Sequence, residues 1–553
     1  MTTAPTRSSA ARWLWLAAIV CMLAELLLFV RMTEQHHAVI YPRWNDQIQY
    51  LSESYQAYEK AEADGFLAGL KTTLTKPALQ GVLHDFCALF VFKLTGGASR
   101  SAALSLNLLV FLAWQATLLA VVTRVSGSRA LGWAAFGLVL CLAWPWSSEP
   151  GSAVDFRLDH ASTCLMGVTA TVALLTDGFR SRRWSLLFGA AVGLTLLTRF
   201  LTGAYFAPIF AASAVWILCG DRSDRWPRLR HLIYAGLVAA VIAGPAFWFN
   251  RMSIYTYYWV GHVSGAESAA RLPGLGFGPS LRYVFGGLAN LHLGAFFLLV
   301  AGALTTAWAA VALSGRRRPD VKLDRDGLFL ALAFFVLPGL VLSLHRQKSE
   351  FVLGVIAPGA VLLVVWAWMH LWRKIDFSGA PPWRRFAPLA LALVALACGA
   401  RYYVARQLWM PHPPGFLAHA EKVNQLADHI FHSARTAGLA NPIIGVDQIV
   451  DFIDAQILRV ICYERHGVWV NFVIQLPDSI LTSSDESQLY RLKLCDFVLL
   501  TEKMPGDGYW PYDKQMRRLF PQLKSYCEEN LRPVALVEIF DREMSLYQRR
   551  EIP

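Results

Sequence analysis

Four short stretches of this chain carry residue types that can do chemistry. In Trp44-Asn45-Asp46-Gln47-Ile48-Gln49-Tyr50, a carboxylate and two aromatic rings lie just past an apolar run at residues 13 to 30. Lys76-Pro77 offers a cation held extended by the following proline, at the start of a new apolar segment. Val154-Asp155-Phe156-Arg157-Leu158-Asp159-His160 brings two acids four residues apart, with a histidine beside the second. His345-Arg346-Gln347-Lys348-Ser349-Glu350-Phe351 is a short basic turn between two apolar runs. A carboxylate can accept a proton from a hydroxyl, and clustered cations can neutralise a phosphate. Together these residue types suit chemistry on a phosphate-linked lipid at a membrane face.

Each stretch also has a structural reading. Asp46 could cap a helix beginning at Gln47, since Asp is a favoured capping residue. Lys76 could reach to lipid headgroups along its aliphatic stem. On a helix, Asp155 and Asp159 would share one face with His160 beside them, as an acid pair or as a solvated cap. The turn from His345 to Phe351 could be no more than a tight connection.

The elements that must position these residues are membrane helices. Of 553 residues, 55% are hydrophobic and only 16% charged. Soluble domains usually carry about 25% charged residues. Apolar runs of span length recur to about residue 403. The first run contains Glu25 and has no small-residue cleavage site after it, so it reads as a span and not as a removed signal. The net charge is +12, but the basic residues gather in short loops, which is topological signal and excludes nucleic acid as a partner. The nine cysteines form no C-x-x-C pair, and no His/Cys spacing specifies a metal.

Four loops are strongly basic, near Arg180, Arg228, Arg317 and Arg373, and the positive-inside rule places them in the cytoplasm. The four chemical stretches then face outward, and the basic turn at 345–350 breaks the charge bias on that side. Parity requires one apolar segment not to cross. The segment 77–95 is the choice, because His84, Asp85 and Lys93 are costly at mid-bilayer. About eleven transmembrane helices follow. The external loop 32–76 has helical composition from Asp46 to Leu70, and predicts one or two juxtamembrane helices. The loop 251–282 carries Tyr255, Tyr257, Tyr258 and Trp259 before a Gly/Pro-rich turn, as a lid would. After Pro411, Pro413 and Pro414, strand-like runs alternate with helical stretches. The fold class is therefore a mainly α polytopic membrane protein, residues 1–403, followed by a soluble α/β domain, residues 404–553.

In order along the chain, these stretches resemble the C-type (GT-C) membrane glycosyltransferases that use polyprenyl-phosphate sugars. The branch they resemble most holds the protein O-mannosyltransferases and lipid A aminoarabinose transferases. Five stretches carry the likeness: Asn45-Asp46 to Tyr50; Lys76-Pro77-Ala78-Leu79 with Leu94-Thr95-Gly96; Asp155 to His160; Gly193-Leu194-Thr195-Leu196-Leu197-Thr198-Arg199; and His345 to Pro358. Ala78 replaces a second proline and Phe351 a usual tyrosine, which are departures.

The resemblance implies transfer of a sugar from polyprenyl phosphate to an acceptor hydroxyl, with inversion. It implies Asp46, Asp155 and Asp159 as catalytic acids, with Asp46 as general base. Lys76, His345, Arg346 and Lys348 would bind the donor phosphate. Tyr50, Tyr257, Tyr258 and His160 would line the acceptor side or its lid. The polyprenyl-phosphate sugar is the donor, a divalent cation stays open as cofactor, and the acceptor is a glycan, lipid or protein. The expected location is a bacterial inner membrane, with the N-terminus cytoplasmic and the C-terminal domain periplasmic. Two other classes compete. O-antigen polymerases or ligases also have about a dozen spans, but usually lack an acidic site after the first. Transporters favour internal repeats and polar residues at the bilayer midplane.

Overall fold

The computed structural model describes residues 7–42, 45–75, 78, 80–264, 275–313, 323–345, 348–375, 382–408, 415–447, 455–467, 469, 472–476, 484–503, 514–539 and 542–550. Among these, nine helical segments are long and apolar enough to cross a membrane, from Trp13–His37 to Phe386–Leu408. Two further helices of the bundle are not among the nine. They are α6, Arg129–Val139, and α8, Arg182–Thr198. The 11 residues of α6 reach about 16 Å at 1.5 Å per residue, roughly half of a hydrocarbon core. The helix in the segment judged non-crossing, α4 (Leu83–Thr95), has only 13 residues.

The first helix, α1 (Arg7–Met32), leads into two helices, α2 (Asn45–Asp64) and α3 (Phe66–Thr75). Asp46 lies in the first turn of α2 and not at its N-cap, where the helix dipole favours a carboxylate. The long α5, Arg100–Ser126, is started by Ser99, whose hydroxyl accepts from the Ala102 N–H, and stopped by Gly127 in the left-handed region. α6 and α7 (Leu158–Ala173) pack around α5, α8 packs against α7 and α10 (Arg225–Phe249), and α9 (Thr202–Cys219) lies against α10. The remaining apolar helices are α11 (Phe277–Gly287), α12 (Gly294–Leu313), α13 (Arg325–Leu344), α14 (Ala357–Lys374) and α15 (Pro382–Leu408).

The C-terminal region opens with α16, Phe416–Thr436. Its described residues form five strands, β1 (Ile443–Asp447), β2 (Phe472–Leu476), β3 (Phe497–Thr501), β4 (Leu531–Ile539) and β5 (Arg542–Arg549), in the order β2-β1-β3-β5-β4. The β1–β2 and β1–β3 pairs are parallel and the two pairs involving β5 antiparallel. Parallel pairs require crossovers. These are α17 (Ala455–His466) and α18 (Asp485–Leu494), with α19 (Lys514–Asn530) preceding β4.

Candidate active site

The site is built where regular structure stops. α8 ends at Thr198, Arg199 is extended (φ −150°, ψ 114°), and α9 begins at Thr202. A break of this kind exposes backbone groups, which the segment before α4 satisfies. The Val82 N–H donates to the Leu197 carbonyl at 2.8 Å, and the Phe200 N–H donates to the Gln80 carbonyl at 2.6 Å. Gly81 makes this approach possible: a Cβ there would sit 2.0 Å from the Thr198 carbonyl oxygen. Within a membrane, non-helical backbone is tolerated only where protein or a water-filled cavity satisfies it.

Arg199, freed from the helix, forms an ion pair with Asp159 in the first turn of α7. Both side chains are buried. A second arginine, Arg157, stands in extended backbone just before α7. It reaches Asp155 at 2.9 Å and Asp46 at 3.3 Å. Its guanidinium also lies over the Phe351 ring, 5.2 Å from the centroid. The side chains of Arg157 and Asp155 are buried, whereas that of Asp46 is 45% exposed. Of Asp46, Asp155 and Asp159, Asp46 is therefore the one exposed carboxylate.

The two acids four residues apart do not share a helical face. Only Asp159 is in α7; Asp155 lies in the irregular loop before it. The cause is a turn at Gly151 (φ 79°), whose N–H donates to Asp155 Oδ2 at 2.6 Å. Asn107 of α5 holds the same loop, donating to the carbonyls of Asp155 at 2.8 Å and Ala153 at 3.1 Å. The Asp155 carboxylate is thus committed to its own loop and to Arg157.

His160 is completely buried. Its ring stacks on Trp144, centroids 4.7 Å apart, and its Nε2 bonds the Asn107 carbonyl at 3.1 Å. A carbonyl only accepts, so Nε2 carries the proton. This places His160 in the packing beneath the site, not on an acceptor face or a lid. Tyr257 and Tyr258 do come to the site. The Tyr257 hydroxyl accepts from Gln80 Nε2 at 3.0 Å, and the two rings meet edge to face at 4.9 Å. Tyr50 is buried, and its hydroxyl is pushed well above the usual tyrosine range by burial, with Asp46 adding to the effect. Tyr258 shifts upward for the same first reason, burial.

Of the cations expected to hold phosphate, Lys76 and Arg346 lie outside the described residues. His345 is the residue that ends α13. Lys348 is largely occupied. Its ammonium donates to the carbonyls of Leu342 at 2.9 Å, Ser343 at 3.0 Å and His345, closing the C-terminus of α13. Its pKa is lowered by burial. Neither Arg157 nor Arg199 has a role assigned from sequence; Arg157 stands between the two quoted acids and Arg199 closes the Gly193–Arg199 stretch, and those positions are the available signal. Among the described residues no group of three or more His, Cys, Asp or Glu is arranged to hold a metal.

The described residues hold nine span-length apolar helices, the architecture of a multi-pass membrane protein. In particular, the chain is similar to ArnT from Cupriavidus metallidurans in the apo state, with a TM-score of 0.59 and 17% identity, over 98% of this chain and 98% of that one. It is also similar to ArnT from Cupriavidus metallidurans bound to undecaprenyl phosphate, with a TM-score of 0.56 and 16% identity, over 96% of this chain and 97% of that one. No protein-family profile and no curated protein matches the chain.

Proposed function

We propose that this protein transfers a sugar from a polyprenyl-phosphate donor to an acceptor hydroxyl on the non-cytoplasmic side of the membrane. The observation that carries the reading is the convergence of Asp46 and Arg157, 111 residues apart in sequence, at 3.3 Å beside the buried Asp159–Arg199 pair. Its second support is the fold shared with an ArnT solved with undecaprenyl phosphate.

In this reading Asp46 accepts the proton of the acceptor hydroxyl, being the most accessible carboxylate of the cluster. Departure of a sugar from phosphate builds an oxocarbenium-like centre and negative charge on the leaving oxygen. Cations placed in a poorly solvated site stabilise that charge. Lys76, His345 and Arg346 are the cations this reading assigns to that task, and Arg157 and Arg199 add theirs beside Asp46 and Asp159. Asp155 and Asp159 act through the arginines, holding each guanidinium in one orientation. Direct displacement with one base predicts inversion at the anomeric carbon. Tyr50, Tyr257 and Tyr258 line the acceptor side. The acceptor is a glycan, lipid or protein, and the C-terminal unit, residues 404–553, stands with the site on the periplasmic face.

Mass spectrometry of lipids that copurify with the detergent-solubilised protein tests this directly. A polyprenyl-phosphate sugar in the preparation is the expected result. Retention of ordinary phospholipids alone, with no exchange when such a donor is added, would remove the reading.

A further inference from the structure

The C-terminal unit touches the rest of the chain through a buried charged contact that the chemistry above does not use. Glu464 of α17 receives a bidentate fork from Arg100 at the start of α5, at 2.5 Å and 3.2 Å. The same carboxylate accepts from the Tyr55 hydroxyl of α2 at 2.7 Å. Arg100 also donates to the His37 carbonyl, just past α1, at 3.1 Å. Tyr55 is fully buried, and the side chains of Arg100 and Glu464 are 6% and 15% exposed. One carboxylate from the C-terminal region therefore ties together α17, α5 and α2.

The consequence lies nine residues back along α2. Tyr55 is two and a half turns from Asp46 on the same helix, so fixing one end fixes where the other points. From the side, Ser54 donates to Asp85 of α4 at 2.8 Å, and Tyr55 packs edge-on against Phe92 at 5.6 Å. The clamp at Glu464 supplies the hold from the C-terminal side. A charge placed there is also costly to leave unpaired, because Arg100 is buried.

We infer that Tyr55 and Glu464 are positioning residues for Asp46: the C-terminal unit sets the angle of α2 and thereby the distance from Asp46 to Arg157. This rests on the role of Asp46 proposed above. A helix shifted by about 1 Å at a reacting group costs roughly 100-fold in rate.

The test uses the full-length protein in detergent or nanodiscs. Tyr55→Phe removes the hydrogen bond from α2 to Glu464 and leaves the Arg100–Glu464 pair and the ring contact with Tyr463 at 5.3 Å intact. The expected result is kcat lowered roughly 10- to 100-fold, with donor KM and melting temperature unchanged and faster amide exchange over residues 47–56. Glu464→Gln keeps an acceptor oxygen for Tyr55, so it should retain more turnover than Glu464→Ala. Parental turnover in Tyr55→Phe overturns the inference. So does a loss of turnover that tracks a fallen melting temperature and weakened donor binding, since that describes a purely structural contact. If the parent transfers no sugar, the proposed function fails instead. The exchange measurement then still decides whether Tyr55 holds α2, and unchanged exchange in Tyr55→Phe overturns the clamp independently.

Discussion

Arginine–carboxylate pairs occupy two ends of this molecule, and they are used differently. At one end, Asp326 is saturated: Arg180 at 2.5 Å, Arg228 at 2.9 Å and the Trp216 indole N–H at 2.7 Å all converge on it. Arg180 also reaches Asp224 at 2.7 Å, and Arg373 reaches Asp324 at 3.2 Å. These pairs staple the starts and ends of α8, α10, α13 and α14. At the other end, Asp46 is met by one arginine at 3.3 Å and stays 45% exposed. A carboxylate that already accepts from three donors has little capacity left for a substrate proton. One held loosely at an opening keeps it. Residue type alone therefore does not separate a staple from a base; saturation and exposure do.

The sharpest way to break that contrast is at Asp46. Asp46→Asn should lower transfer by roughly 10²- to 10⁴-fold, the range for loss of a general base, while the melting temperature holds. Donor turnover followed with a labelled polyprenyl-phosphate sugar reads the first, and a thermal melt the second. Near-parental turnover would return Asp46 to the status of a helix-end charge.

The next effect belongs to the buried pair. Arg199→Met strands the Asp159 carboxylate in the protein interior, and should cost about 3–5 kcal/mol of stability. Chemical denaturation in mild detergent measures it. The double variant with Asp159→Leu should recover much of that loss without recovering transfer; a double variant that transfers normally would show the pair to be packing only.

A smaller effect is expected from His84 of α4, which is buried against Phe156 at 4.2 Å. Burial pushes its pKa down to about 4. The unfolded chain, with a histidine near 6.5, then binds the extra proton first, so stability is lost as pH falls from about 6.5 towards 4. His84→Gln should flatten this slope by on the order of 1–3 kcal/mol across the window. An unchanged slope in melts at pH 7 and pH 5 would contradict it.

The smallest effect is the control at the saturated end. Arg180 is 40% exposed in its side chain, so Arg180→Ala should cost no more than about 1 kcal/mol. Transfer per folded molecule should not change. A selective loss of turnover there would erase the distinction between the two ends.

Much of this arrangement was legible in the residues. Hydropathy marks the long spans, and the composition of residues 46 to 70 foretells α2 and α3, because both signals are local. Asp46 stood out because an acid past an apolar run is locally anomalous. The rest depends on contacts between distant residues. Arg157 stands between the two quoted acids, but nothing in the sequence announces that it also reaches Asp46, and the spacing of Asp155 and Asp159 suggested a helix that the Gly151 turn prevents. Lys348 reads as a free cation until the carbonyl ends of α13 are seen beneath it. Glu464 looks like any surface acid until α17 is laid against α2, whose Tyr55 lies 409 positions away in the sequence.

The most direct measurement is a structure of the full-length protein with polyprenyl phosphate added. The account predicts the phosphate at the opening framed by Asp46, Arg157 and Arg199, with a cation from the 345–348 turn or Lys76 against its oxygens. A headgroup bound instead at the Asp326 end, or nowhere near Asp46, would contradict it.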